Sequence, residues 1–403
     1  MRGLTAAHTL TILNLMKQVV RHKIKEANNV NDKKDKYILL IDGTNLLKIS
    51  VVNTDLNNEK GECYGGVVNF LRMLGDILKK KDFDHCICVW DSSTSGILRW
   101  KLYNDYKANR DKHYEAFNVE SEYDRKINEF VKHVINKSRG NKQEVKRGET
   151  DEESFNRQKM IVQQILEEVC IRQYELDDVE GDDILAYFVN TKSDDEKIVI
   201  VSSDKDLTQL INETVCVWNP RKKEFITNKN SKDILGITHE NIVLEKIFCG
   251  DSSDNIYGIK GMGEATFRKY FPEMVENKGT VEAVIALTES ILNRRKEEKK
   301  KPLKTLENVL NKVTDGIQGD RIYEINKAII DLSVPLLTED AMKVLESERY
   351  APLDTENRTL NNVYQIINDN GMVYLQDENN FGNIFGSYNR ICETERQYQK
   401  ANK

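Results

Sequence analysis

The chain is predicted to fold as an α/β protein whose mainly parallel sheet is covered by helices on both faces. Three observations lead there. Short, continuously apolar runs occur at Tyr37–Ile41, Cys86–Trp90 and Lys197–Val201, which is how strands buried on both faces read. Helical patterns lie between them at Val67–Leu78, Gln158–Val169 and Asp183–Val189, so strand and helix alternate as in β-α-β units. Each run also stops at or just before an aspartate: Asp42, Asp91 and, after Ser202 and Ser203, Asp204. Open α/β sheets bind ligands off the carboxyl ends of their strands, so these acids are expected to converge.

At 403 residues the chain can build two or three lobes. No apolar run approaches the roughly 20 residues a membrane helix needs, which argues against a membrane role. The seven cysteines form no Cys-x-x-Cys pair, a pattern that favours reduced thiols in a cytoplasmic setting. Cys86 and Cys88 alternate with Ile87 and read as packing residues. A net charge of −6 does not advertise a nucleic-acid binder, yet an acidic centre can coexist with separate basic surfaces.

In chain order, residues 1–28 read as an amphipathic helix without an acid before Glu26, either a docked terminal helix or a targeting segment. The polar run Asn28–Lys36 is a linker into the first domain. From Ile97 to about Phe155 the character changes: Arg99, Lys101, Lys107, Arg110 and Lys112 interleave with Trp100, Tyr103, Tyr106 and Tyr114. That mixture suits a gripped polyanion with stacked bases, or a solvated helical hairpin. Asn136–Glu153 is polar and expected to be exposed.

The acids form the centre of the reading. Glu180, Asp182 and Asp183 precede the Lys197–Val201 strand, and Asp204 and Asp206 follow it. Clustered like charges raise one another's pKa and oppose compaction unless a cation sits among them. Carboxylates without His or Cys select Mg²⁺ or Mn²⁺. Any one of these acids could be a helix cap or a favourable first-turn residue; the set is not explained that way. Asp251 and Asp254 stand three apart, so on a helical turn they would share one face and complete a second metal's shell. Gly258, Gly261 and Gly263 then allow a tight hairpin with exposed N–H groups, followed by a helix start, with Lys260, Arg268 and Lys269 adding charge for a duplex backbone. The basic run Asn293–Lys304 is either a solvated linker or a duplex contact. Ile322 to Tyr388 carries helical patterns, and Asp377–Lys403 reads as loosely ordered. The six histidines show no metal-ligand spacing, and no repeat is visible.

Ile-Asp-Gly-Thr-Asn (41–45), Val-Trp-Asp (89–91), Arg99 with Tyr106-Lys107-Ala-Asn-Arg110, Val-Glu-Gly-Asp-Asp (179–183), Ser-Ser-Asp-Lys-Asp (202–206) and Gly-Asp-Ser-Ser-Asp-Asn-Ile (250–256) together resemble the structure-specific 5′-nuclease family. Flap endonucleases and the 5′-nuclease domain of bacterial DNA polymerase I belong to it. Trp218-Asn-Pro-Arg-Lys-Lys-Glu-Phe is similar to its phage branch, the ribonuclease H type of T-even bacteriophages. The likeness covers roughly residues 37–275.

The resemblance implies a PIN-like (Rossmann-like) catalytic domain at 37–235 with a helical arch at about 97–155, after an extension at 1–36. A helical DNA-binding domain at 236–350, with a helix-hairpin-helix at about 250–271, and a C-terminal helical region at 351–403 follow. It implies two Mg²⁺ ions, replaceable by Mn²⁺, with Asp42, Asp91, Glu180 and Asp182 on one, Asp204, Asp206, Asp251 and Asp254 on the other, and Asp183 near both. Lys107, with Arg99 and Arg110, would steady the scissile phosphate. Tyr106, Gly258, Lys260, Gly261, Gly263, Arg268 and Lys269 would contact DNA, and K⁺ could sit at the hairpin. Two departures stand out: the N-terminal extension and the long Asn136–Glu153 segment.

The expected reaction is hydrolysis of phosphodiesters near free 5′ ends, flaps or RNA primers, with little sequence preference. The expected protein is a monomer, in the host cytoplasm if viral, with a single-strand-binding protein or sliding clamp as candidate partners. Two rivals are a PIN-like ribonuclease, and a DNA-junction binder with no activity.

Overall fold

The computed structural model describes residues 35–52, 54–109 and 151–401. The N-terminal helix expected at 1–28, Arg110, Tyr114 and most of the proposed arch lie outside them.

Strand β1 (Lys36–Asp42) forms the middle of a six-stranded sheet. Helices α1 (Gly43–Ser50) and α2 (Gly65–Leu78) lead to β2 (His85–Trp90). Helices α3 (Ile97–Leu102) and α4 (Asp151–Glu168) precede β3 (Arg172–Glu175), and α5 (Gly181–Asn190) leads to β4 (Glu196–Val201). Strands β5 (Val215–Asn219) and β6 (Glu224–Ile226) complete the order β3-β2-β1-β4-β5-β6. Only the β5–β6 pairing is antiparallel, so the Asn-Pro-Arg-Lys-Lys run is the turn of an edge hairpin.

The apolar alternation of β1 decides which core each residue enters. Leu39 and Ile41 join one cluster with α2 and α4, while Ile38 and Leu40 join another with α5. Cys86 and Cys88 fall in the first cluster and Ile87 in the second, as alternation across the sheet requires. The chain leaves β1 toward β2 and β3, then returns to place β4 on the other side. This reversal makes β1 and β4 the switch point of the sheet. Ile41 pairs with Val201 there, which brings Asp42 alongside the Ser202–Asp204 turn.

A third core gathers α6 (Ile242–Cys249), α7 (Glu264–Tyr270), α8 (Val281–Glu297), α9 (Lys304–Leu310) and α10 (Ile322–Ile330). Between α6 and α7 lies a two-stranded ribbon, β7 (Gly250–Asp251) and β8 (Ile256–Tyr257). It crosses α6 so closely that a Cβ on Gly258 would lie 2.2 Å from the Cys249 carbonyl carbon. Helix α11 (Glu339–Glu348) and α12 (Leu360–Asp369) return to the sheet domain.

The segment expected to be loose from Asp377 is instead α13 (Glu378–Phe385) and α14 (Asn389–Ala401). Phe385, Tyr388 and Ile391 are buried in the first core, which single-segment polarity did not reveal. At the amino-terminal end of the sheet, Glu395 of α14 is buried between His85 and Arg172. His85 Nδ1 lies 3.1 Å from Oε2, and Arg172 Nη2 donates to Oε1 at 2.6 Å. Among the described residues no helix is long and apolar enough to cross a membrane.

Candidate active site

The acids meet at the switch point. Asp42 ends β1 and caps α1: its Oδ1 accepts from the Asn45 N–H at 2.9 Å, and its Oδ2 accepts from Ser202 Oγ at 2.8 Å. Asp91, just past β2, accepts from the Gly181 N–H at 2.9 Å. This ties the β2 end to the start of α5, where Glu180 and Asp182 stand. Ser202 Oγ accepts from the Asp204 N–H at 3.0 Å, and Asp204 Oδ1 accepts from the Asp206 N–H at 2.8 Å. Capping therefore explains one oxygen of Asp42 and one of Asp204, but not the gathering.

Electrostatics records the gathering. Burial, reinforced by Asp91 and Asp204, pushes the Asp42 carboxyl up to about 7 against the bonds from Asn45 and Ser202. Burial also drives Asp182 well above the usual carboxylate range, with Asp204, Asp42, Asp91 and Glu180 all pushing the same way. Asp206 rises to about 6, chiefly through burial, with Lys246 opposing and Asp204 adding. Carboxylates that raise one another across a buried floor are the environment a hard cation relieves.

Glu180 behaves differently. Burial works against its charge, yet Arg99 and Lys107 hold it down to about 2. Arg99 Nη1 is 2.7 Å from Oε2, the Lys107 ammonium bonds Oε1, and Tyr106 OH donates to Oε2 at 3.0 Å. Tyr106 OH also lies 3.1 Å from Asp254 Oδ2, and the Lys107 N–H donates to the Asp254 carbonyl at 2.8 Å.

Several expectations change here. Arg99 is not an exposed phosphate clamp: it is 5% exposed, pairs with both oxygens of Asp183, and donates from Nε to the Ile329 carbonyl. Asp183, 1% exposed, also accepts from the Leu336 N–H, so this acid is sealed from solvent and shares the Arg99 guanidinium with Glu180. Tyr103 and Tyr106 pack with Ile256, Ile329 and Ile330 and offer no face to a base. Asp251 and Asp254 do not share a helical face, because the ribbon turns between them; Asp251 accepts from the Ser253 N–H at 2.9 Å, and Asp254 reaches Tyr106.

In the turn after the ribbon, Gly258 answers a packing demand, whereas Gly261 (φ +83°) and Gly263 are exposed. Lys260 is exposed and pairs with Asp315 at 2.7 Å. Arg268 is drawn away from that surface by buried Glu245, to which Nε donates at 2.6 Å. Lys269 is exposed on α7.

The donor set fits divalent cations of the Mg²⁺ type: all-oxygen, largely buried and mutually repelling. Among the described residues no three acids have closed into a ligand triad. Lys107 on Glu180, and Lys246 between Asp206 and Asp251, are cationic groups already drawn to these acids.

Residues 37–236 match the family of the 5′-3′ exonuclease N-terminal resolvase-like domain. The chain belongs to the 5′-nuclease family. This nuclease is 26% identical over 307 residues to a 5′-3′ exonuclease of Aquifex aeolicus, across 76% of this chain and 86% of that one. It is also 26% identical over 269 residues to DNA polymerase I of Bacillus subtilis, across 65% of this chain but only 26% of the polymerase. A zinc-bound structure of the bacteriophage T5 5′-exonuclease superposes with a TM-score of 0.50 at 16% identity, covering 89% of this chain and all of that one. A T5 flap endonuclease structure with DNA and metal ions gives 0.50 and 16%, covering 90% and 100%. At such identity both show a shared fold.

Sequence reasoning missed Lys246 and Ser202 in this nuclease. Lys246 lies on the apolar helix α6 and bonds Asp206 and Asp251; its only signal was a lysine five residues before Asp251. Ser202 stood inside a quoted motif, but its bond to Asp42 depends on the β1–β4 pairing.

Proposed function

We propose that this nuclease is a Mg²⁺-dependent, structure-specific 5′-nuclease that hydrolyses phosphodiesters near the 5′ ends of duplex, flap or RNA-primed DNA, as in primer removal during phage-type replication. The observation that carries this reading is the meeting of Asp42, Asp91, Glu180, Asp182 and Asp204 at the switch point of the sheet, where burial, and after it the neighbouring acids, raises Asp42 and Asp182. Asp42, Asp91, Glu180 and Asp182 would hold one cation, and Asp204, Asp206, Asp251 and Asp254 a second, with Mn²⁺ as substitute. Bound there, divalent cations lower the pKa of water and neutralise charge on the phosphate.

The chain's own residues do the rest. Asn45 and Ser202 fix both Asp42 oxygens, so that acid cannot rotate away. Tyr106 OH spans Glu180 and Asp254 and sets the two groups in register. Lys107 is partly open, with 21% of its side chain exposed; its ammonium is held by Glu180 at the site edge, from where it supplies charge placed in advance for a phosphate in the transition state. Because cations held by these acids would already lower the pKa of the attacking water, no histidine would be needed as base. The exposed turn at Gly261 and Gly263 would hold duplex through backbone contacts that carry no sequence information.

The test is incubation of the chain and Mg²⁺ with end-labelled flap, nicked, blunt and RNA-primed duplexes and with single-stranded RNA, followed by product mapping. Short products released from the 5′ end, dependent on Mg²⁺, are expected. Cleavage confined to single-stranded RNA would replace the proposal with a ribonuclease, and DNA binding without cleavage would replace it with a junction binder.

A further inference from the structure

A basic arm stands beside the glycine turn. The buried residues of α8, Val284 and Thr288, lie in its first half. Ile291 and Leu292 still lean on the helical core, but from residue 293 to 302 every residue except Arg295 is exposed. Ordering chain that buries nothing costs conformational entropy with no burial to offset it. The arm is nonetheless shaped. Arg295 donates from Nε and Nη2 to the Lys301 carbonyl at 3.0 and 2.8 Å, the Lys300 N–H donates to the Arg295 carbonyl at 2.8 Å, and Lys299 takes a left-handed φ of +53°.

So folded, the arm displays Arg294, Lys296, Lys299 and Lys301, with Lys304 at its return; Lys300 is paired with Glu298 at 2.8 Å. A helix dipole accounts for cations in the last turn of α8. It does not account for Lys299 and Lys301 beyond that turn, and Lys304 opens α9, where the dipole disfavours positive charge.

Helix α9, into which the arm returns, is packed on the turn. A Cβ on Gly261 would meet Thr305 Oγ1 at 3.1 Å, Asn308 Nδ2 donates to the Lys260 carbonyl at 2.9 Å, and the Lys260 N–H donates to the Val313 carbonyl at 2.8 Å. Protein interfaces centre on aromatic or apolar anchors. Between 293 and 302 the arm has none but Pro302, so its chemistry fits a phosphate backbone better than a protein surface.

We propose that residues 293–304 form a second prong for duplex nucleic acid, gripping phosphates beyond the segment held at Gly261 and Gly263. This rests on the reading of that turn as a duplex holder. The test uses the full chain and a variant carrying Lys296→Gln, Lys299→Gln, Lys301→Gln and Lys304→Gln, all exposed, so that its melting temperature should match the parent. Binding to flap substrates is measured in EDTA over a salt series, with one duplex arm long and one too short to pass the glycine turn. Each neutralised phosphate contributes about 0.9 to the slope of log affinity against log salt. The variant should therefore be shallower by about 3 to 4 on the long arm and unchanged on the short one.

Equal slopes on the long arm overturn the prong and leave an acidic protein as the candidate partner. An equal loss on both arms overturns it in favour of diffuse attraction. Mg²⁺-dependent cleavage of the short-arm substrate is followed in parallel: if neither protein cleaves it, the nuclease reading fails, while the slopes still decide the prong.

Discussion

The Lys246 ammonium of α6 bridges Asp206 and Asp251, lying 2.5 Å from Asp251 Oδ2. An ion pair from the third core to the sheet is thereby placed among the acids. Removing one partner of a buried pair leaves an uncompensated charge. Lys246→Met should destabilise the metal-free protein by about 3 kcal/mol, and Mg²⁺ should raise the melting temperature more in the variant than in the parent. Equal Mg²⁺-induced shifts would show that the ammonium and the cation do not share these acids.

Asp204→Ala should abolish Mg²⁺-dependent cleavage while leaving duplex binding largely intact. Cleavage rate and binding in EDTA check the two halves separately; undiminished cleavage would remove Asp204 from the site.

Lys107→Ala should slow the single-turnover rate about 10²- to 10³-fold, the scale of losing one preorganised donor, with a smaller loss of affinity. A loss of the same size in affinity would make Lys107 a binding residue only.

Arg99→Ala should act on folding before chemistry. Glu180 and Asp183 would be left buried without their guanidinium, at a cost of about 3–5 kcal/mol, read as a lower urea midpoint. A variant that keeps full stability but loses cleavage would return Arg99 to the reacting phosphate.

The raised acids give a pH signature. Asp42, at about 7, and Asp206, at about 6, hold protons more tightly folded than unfolded. Their protonated forms favour folding below about pH 4, the unfolded carboxylate value, and that contribution is lost as pH rises to about 7. Metal-free protein should therefore lose stability across this window; the lowered Glu180 acts in the opposite sense, but only as pH falls below 4.5 toward about 2. Mg²⁺ should abolish the loss, and its binding should strengthen and release protons as pH rises through 6 to 7. Chemical denaturation with and without Mg²⁺ measures both effects.

Much of the sheet was legible because β1, β2 and β4 are buried on both faces and read as apolar runs ending in aspartate. Strand β3 was not, since Arg-Gln-Tyr-Glu is short and mostly polar, and its pairing with β2 and the burial of Arg172 against distant Glu395 appear only in the fold. The β5–β6 hairpin was visible as a motif but not as an edge. The gathered acids could be inferred from strand ends and spacing. The fate of the basic residues could not: Arg99, Arg268 and Lys246 resemble surface charges until Asp183, Glu245, Asp206 and Asp251 are folded against them.

Glu395 gives the last helix a duty that its place in the chain conceals. By answering Arg172 and His85 beneath the sheet, α14 acts as a keystone for two strands, of which β2 runs into Asp91 and β3 leads toward Glu180. A truncation that spared every carboxylate of the site but stopped at Tyr388 would strand an arginine in a dry floor, and inactivity of such a fragment would report a collapsed foundation rather than missing chemistry.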